Sequence, residues 1–189
     1  MIDNYTEYTD KLREHYESFF SARGEVIMWT RGPIDKLHPA FYVLEMSPSR
    51  NRGMWTYATI GMSLERNDNN LIELLTYSRN KDISRAELLT LNASFHRNDA
   101  ALNLNHTVFV GQLGDHKTDC DHGLISLPYI EGEELEIFPF EGKEFHCYWY
   151  LPITREEKDY KIQHGCESLE LLFEEKQVNY LDLNRKSLV

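Results

Sequence analysis

Phe145 to Ile153, reading FHCYWYLPI, is the most strand-like stretch of this chain, dominated by aromatic and branched side chains. A strand of this kind is not stable alone, so the chain must build a sheet around it. Side chains alternate between the two sides of a strand. The alternation predicts that Trp149 and Leu151 turn inward, and that Trp55, Tyr57, Ile60 and Leu74 do so in their own strands. The partner strands are legible upstream. Glu25 to Thr30 (EVIMWT) reads as a buried strand, Phe41 to Met46 (FYVLEM) as a second, and Met54 to Met62 (MWTYATIGM) as a third. Leu71 to Tyr77 (LIELLTY) fits strand or helix by periodicity alone; the polar turns on both sides favour strand. Thr107 to Val110 and Leu124 to Leu127 read as short strands.

Helical spacing appears at both ends and once between. Tyr5, Tyr8, Leu12, Tyr16, Phe19 and Phe20 recur at the helical interval, which predicts an amphipathic helix over 5–23 with Gly24 as its terminator. Ser84 to Phe95 carries a capping-box pattern, Ser84 with Glu87, and places Leu88, Leu89, Leu91 and Phe95 along one side. Thr154 caps a helix with Glu156 and Glu157 in its first turn, and another helix runs from about Cys166 to Lys176. No repeat, linker or low-complexity tract interrupts the 189 residues. The order of elements predicts an α+β fold: a mixed, largely antiparallel sheet with helices packed on it, in a single domain over 1–189 with the helix over 5–23 packed against it.

Charge narrows the partners. Thirty-one acidic residues against 20 basic ones leave a net charge of −11. Such a surface repels phosphate backbones, which argues against nucleic acid, and it attracts basic partners. The excess is densest between Glu131 and Glu144, where Glu131, Glu133, Glu134, Glu136, Glu141 and Glu144 face a single base, Lys143. A solvated acidic loop or edge strand is the plain reading of that run. The three cysteines form no CxxC and no disulfide framework, which points to a reducing compartment. Met1 to Asp10 has no apolar core of a signal peptide, and no apolar run approaches the ~20 residues that span a bilayer. A cytoplasmic protein that meets no membrane is expected.

Several motifs resemble a known family. Trp55 to Ser63 (WTYATIGMS), followed by Glu73-Leu74-Leu75, is similar to the opening of a suppressor-of-fused domain. Leu104 to Val108 resembles the family's helix-to-strand passage, Leu151-Pro152-Ile153-Thr154 with Glu157 its "PIT..E" strand end, and Gly165, Leu169 and Leu172 its final helix. Leu183 to Ser187 resembles its terminal "R.S" signature. The resemblance runs from about Glu25 to the end. It implies an α+β fold with a mixed sheet. The animal members sequester zinc-finger transcription factors, while the small bacterial members resemble immunity proteins encoded beside the toxins they neutralise. This chain is of the small type, without room for the animal proteins' extra C-terminal domain, so their partner contacts are not carried over.

Catalytic and metal-binding patterns are sparse. There is no P-loop, nucleophile elbow, HExxH or dinucleotide fingerprint. The stretch Asp115 to His122 collects His116, Cys120 and His122 among three aspartates, ligand types for zinc, but no pair has the usual ligand spacing, and a polar loop gathers Asp and Gly anyway. His146 and Cys147 are adjacent in a strand and so face opposite ways; Cys147 reads as core. Cys166 begins a helix beside His164, a setting that can lower a thiol's pKa, yet no base partners it in sequence. Gly61 marks a bulge or close backbone approach, and Gly165 separates two helices. Arg185 either pins the chain end to an acidic partner or lies in a solvated tail. No cofactor is implied.

The expected function is therefore protein binding and not catalysis: an immunity-type inhibitor that neutralises a cognate toxin, such as a basic nuclease, by stoichiometric contact through Glu131, Glu133, Glu134, Glu136, Glu141 and Glu144. The alternatives are a regulatory scaffold that takes a peptide as an added strand at a sheet edge, and a metal-dependent hydrolase with a scattered site.

Overall fold

The computed structural model describes residues 4–30, 32, 36–50, 52–66, 68, 70–109 and 118–189. Its elements run α1 (Tyr5–Phe20), β1 (Gly24–Ile27), β2 (Tyr42–Met46), β3 (Trp55–Ile60), β4 (Ile72–Ser78), α2 (Ile83–Asn98), β5 (Thr107–Phe109), β6 (His122–Ser126), α3 (Glu133–Glu136), β7 (Ile137–Phe140), β8 (Lys143–Ile153), α4 (Arg155–His164) and α5 (Cys166–Glu175). The strands form one sheet in the order β1-β2-β3-β4-β8-β6-β5, with β7 paired to the start of β8. Every pairing is antiparallel except that of β4 with β8. The mixed, largely antiparallel α+β architecture matches the sequence expectation.

β8 is the spine. One edge pairs with β4 from His146 to Trp149; the other pairs first with β7 and then, from Trp149 on, with β6. Its side chains alternate between two cores. Phe145, Cys147, Trp149, Leu151 and Ile153 join Tyr8, Leu12, Tyr16 and Phe20 of α1 and Leu169 and Phe173 of α5. Tyr148 and Tyr150 join Val43, Tyr57 and Leu74 under Leu88, Leu89 and Ala93 of α2. The sheet thus has two buried faces. The inward-facing set is divided between them: Ile60, Trp149 and Leu151 lie on the α1 side, Tyr57 and Leu74 on the α2 side, and Trp55 is only partly buried against the latter.

Other boundaries differ from expectation for local reasons. α1 stops at Phe20 because Ser21 turns left-handed at φ 49° and its N–H returns to the carbonyls of Glu17 and Ser18. Gly24 does not cap the helix; it opens β1, where an added Cβ would stand 2.4 Å from Leu44. β1 ends at Ile27 and is an edge strand, so Val26 is 44% exposed and Met28, just beyond it, 62% exposed, where a buried strand was expected. Asp82, not Ser84, caps α2, its carboxylate accepting the Ser84 N–H. Leu88 and Leu89 of that helix are buried, while Leu91 and Phe95 face out at 43% and 41% exposure. A helix narrower in its apolar face than expected leaves these two free to line the surface.

Two measurements test this packing. Trp149, 4% exposed and wedged between Tyr77 and Tyr180, is expected to cost ~3–5 kcal/mol when truncated to alanine, read as a drop in the urea midpoint; an unchanged midpoint would show the strand faces reversed. His96 is 1% exposed and neutral, its Nδ1 accepting the Leu102 N–H at 2.9 Å, and burial first, then Arg66, pushes its pKa down to about 4 from 6.5. A depressed histidine stabilises the fold above its unfolded pKa and loses that contribution as pH falls through the folded one. The parent should therefore lose up to about 3 kcal/mol, relative to His96→Gln, between pH 6.5 and 4. Urea titrations of both proteins across that range give the difference directly.

Candidate functional site

Two buried carboxylates, Glu73 and Glu157, are engaged inside the fold. Glu73 is wholly buried, and its carboxylate accepts from the Tyr8 hydroxyl at 2.8 Å, the Thr59 hydroxyl at 2.6 Å, and the N–H groups of Gly61 at 3.1 Å and Met62 at 3.2 Å. Desolvation pushes its pKa above the ordinary value, and these donors oppose that shift. Gly61 follows β3 at φ +90°, a conformation that lets its N–H reach the carboxylate. The motif Trp55 to Ser63 with Glu73 is thus a cradle for one buried carboxylate, which no sequence spacing reveals. Glu157 and Arg185 form a second internal pair: Arg185 Nη1 and Nη2 reach the carboxylate at 2.5 and 2.7 Å, Nη2 also reaches the Pro152 carbonyl, and the Leu188 N–H donates to Glu157. Arg185 pins the chain end, the first of its two sequence readings.

The chemical candidates separate in space. Asp115 and His116 lie outside the described residues. Cys120 is buried, its N–H bonded to the Leu183 carbonyl, and burial pushes its thiol up to about 11. His122 sits in β6 with its ring 2.6 Å from Asp121, which also meets Arg155. Among the described residues no group of three or more His, Cys, Asp or Glu could hold a metal. His146 and Cys147 face opposite ways as expected: Cys147 is core, while His146 stacks on Tyr148 and approaches Glu136. Cys166 packs against the core, in keeping with a structural role. Burial, then Glu170, pushes its thiol up to about 11, the opposite of the lowering that a helix start can give.

The acidic run follows the edge-strand half of its plain reading, because among the described residues β7 pairs with β8 alone, and adds a short helix before it. It contains α3 and β7, and its six carboxylates fall in two groups. Glu131 turns inward: its side chain is 7% exposed and 2.5 Å from Arg52, whose guanidinium stacks on Phe20 and Tyr77. Glu136 is half-buried beside His146. Glu133, Glu134, Glu141 and Glu144 are exposed, and among the described residues no basic side chain forms an ion pair with them. Just before the run, Tyr129 and Ile130 stand 57% and 43% exposed and border a groove of about 660 Å³ between α5 and the sheet. Trp149 and Phe173 lie in its floor, and Glu167, Glu170 and Glu174 line its rim. The sequence run pointed to the neighbourhood but missed this rim. Its signal was present in Glu167, Glu170 and Glu174 at i, i+3 and i+7, one ridge of a helix. No helix of the described residues is long and apolar enough to cross a membrane.

Removing one partner of the pin strands a buried charge, so Arg185→Met or Glu157→Met alone is expected to cost about 3–5 kcal/mol, whereas the two together should cost much less than the sum. A double-mutant cycle by urea denaturation measures the difference. Near-additive losses would return Arg185 to the status of a solvated tail residue.

Comparison with known proteins agrees with the fold and with the motifs. The chain is 27% identical over 168 residues to the immunity protein YqcF of Bacillus subtilis, covering 82% of this chain and 85% of that one. A crystal structure of a suppressor-of-fused homologue from Neisseria gonorrhoeae is 30% identical, with a TM-score of 0.83 over 97% of both chains. A Sufu–Fu complex structure at 12% identity (TM-score 0.68, 96% of this chain and 92% of that one) and Drosophila Suppressor of Fused at 11% (TM-score 0.64, 94% of this chain and 50% of that one) share the fold. The sequence profile of the Suppressor of fused protein (SUFU) family matches residues 38–186, most of the length, and the chain belongs to that family.

Proposed function

We propose that this chain acts by binding a protein, as an immunity-type inhibitor that neutralises a cognate basic toxin domain stoichiometrically. The observation that carries this reading is the exposed, unneutralised carboxylate surface on and around α3 and the β7–β8 turn, on a chain of net charge −11. The name of the Bacillus subtilis relative supports it, as does the Sufu–Fu complex on the same fold. Charges that the fold has not paired internally remain available to a cationic partner, where they raise the association rate. Thiols pushed upward and carboxylates consumed by internal hydrogen bonds favour binding over catalysis.

A second reading, strand addition to a sheet edge, is favoured by β5. Thr107–Phe109 is an outermost strand without a charged side chain, Phe109 is 67% exposed, and a groove of about 600 Å³ runs beside it along Leu91 and Phe95. Proline at an open edge residue of a bound peptide would discriminate this mode, because it removes a ladder donor.

Glu131 and Glu136 are engaged inside the fold, so the test uses the exposed four. Glu133→Lys, Glu134→Lys, Glu141→Lys and Glu144→Lys together change the net charge by two units each, from −11 to −3. Stability should stay within about 1 kcal/mol, because exposed charges contribute little. Association with the purified protein encoded beside this chain should slow about tenfold or more at low salt, and the deficit should shrink as salt screens the field. Stopped-flow series across a salt gradient read both. Failure of the parent to bind that protein removes the immunity reading; equal on-rates remove these carboxylates from it.

A further inference from the structure

We infer that the groove between α5 and the sheet is the docking site for a basic amphipathic helix on the partner; this rests on the reading that the partner is a cationic protein. Three features define the occupant. The mouth and floor are apolar: Leu171 is 59% exposed and Tyr129 57% exposed at the mouth, over Trp149 and Phe173. An apolar surface of this kind on a highly charged protein favours an apolar cover.

The rim is acidic on one side. Glu167, Glu170 and Glu174 occupy one ridge of α5 spanning roughly 10 Å at 1.5 Å per residue, and no lysine or arginine among the described residues lines the groove. Glu170 is held in place, accepting from the Ser126 hydroxyl at 2.8 Å and the Tyr129 hydroxyl at 2.9 Å. Glu167 and Glu174 are exposed and take no ion-pair partner among the described residues. A fixed carboxylate flanked by two free ones about a turn away on either side matches cations spaced one and two turns apart on a facing helix.

The floor has no backbone to offer. β8 is paired to β4 and β6 along this stretch, and β6 to β8 and β5, so an incoming chain gains no ladder hydrogen bonds there. A segment that covers apolar side chains without such bonds must satisfy its own N–H and C=O groups, and a helix does so internally. The acidic run and the groove then have separate tasks. The exposed glutamates around α3 accelerate encounter, and the groove holds the complex once formed, setting the dissociation rate.

The probe is a fluorescein-labelled 18-residue peptide with leucines on one helical face and lysines elsewhere, paired with a leucine–glutamate counterpart. Anisotropy at 0.15 M salt should show the lysine peptide bound and the glutamate peptide weaker by at least about thirtyfold. Leu171→Asp should weaken the lysine peptide at least about tenfold, and Glu167→Lys with Glu174→Lys about fivefold or more; both sites are exposed, and unchanged melting temperatures confirm folding. The quadruple variant at Glu133, Glu134, Glu141 and Glu144 should bind it within about threefold of the parent. Equal binding of the two peptides, insensitivity to Leu171→Asp, or a self-association that Leu171→Asp abolishes would each overturn the inference, the last by making a second copy the occupant. With the neighbouring protein as partner, Leu171→Asp should raise the off-rate at least about tenfold. A tight complex whose off-rate ignores that change sinks the groove and leaves the immunity reading intact. A groove that binds the lysine peptide beside a neighbouring protein that does not bind sinks only the latter.

Discussion

β8 carries a constraint on which the remaining architecture depends: an eleven-residue strand paired along both edges and buried on both faces. Burying alternate large side chains on two faces requires two layers of cover, so α1 and α5 must lie on one side and α2 on the other. The parallel partnership with β4 follows from the same demand. Antiparallel neighbours need only a turn, but a parallel neighbour needs a long connection. Between β4 and β8 the chain makes that connection through α2, β5, β6 and β7, thereby placing a helix over the second core. The edge strands β1 and β5 end up short and partly exposed, at the margins of a sheet organised from its centre.

Internal carboxylates join the layers. Glu73 ties α1 to β3 and to the turn after it; Glu157, capping its own helix through Thr154, holds Arg185 and the chain end; Glu131 meets Arg52 between two aromatic rings. A buried carboxylate is expensive unless its lone pairs are filled, and breaking such a group is costlier than never having had it. Losing one partner therefore costs more than replacing the whole group with apolar side chains would. The engagement of these carboxylates also sorts the acidic residues by function, since a carboxylate spent on an internal arginine has no charge to offer a partner.

Around α3 and α5, mainly acidic and apolar side chains remain exposed. Exposed glutamates around α3 and along α5 flank exposed Tyr129, Ile130 and Leu171. Apolar contact near an acidic rim suits recognition of a cationic protein, in which long-range attraction and short-range packing act at different stages of binding. In the same fold, β5 offers a chemically different surface, uncharged and at the sheet's edge among the described residues. One scaffold thus carries two chemically distinct exposed surfaces, and substitutions confined to one need not affect the other.

Local patterns in the chain already determined the strand at Phe145 to Ile153, its neighbours, the helices at both ends, the Thr154 cap and the excess of acid. Each of these depends on residues a few positions apart, through the two-residue and 3.6-residue periods or a single capping hydrogen bond. The family motifs were equally visible, although not their cause: Thr59, Gly61 and Met62 converge on a carboxylate from another strand. Tertiary structure alone decided that the sheet has two cores, that Leu91 and Phe95 face water, that Glu131 points inward to Arg52 while Glu133 and Glu134 do not, and that α5 contributes a rim. These outcomes depend on which distant side chain arrives beside a given residue. Charge and hydrophobicity along a chain do not encode that arrival, because a glutamate is chemically the same before folding whether it will meet an arginine or the solvent.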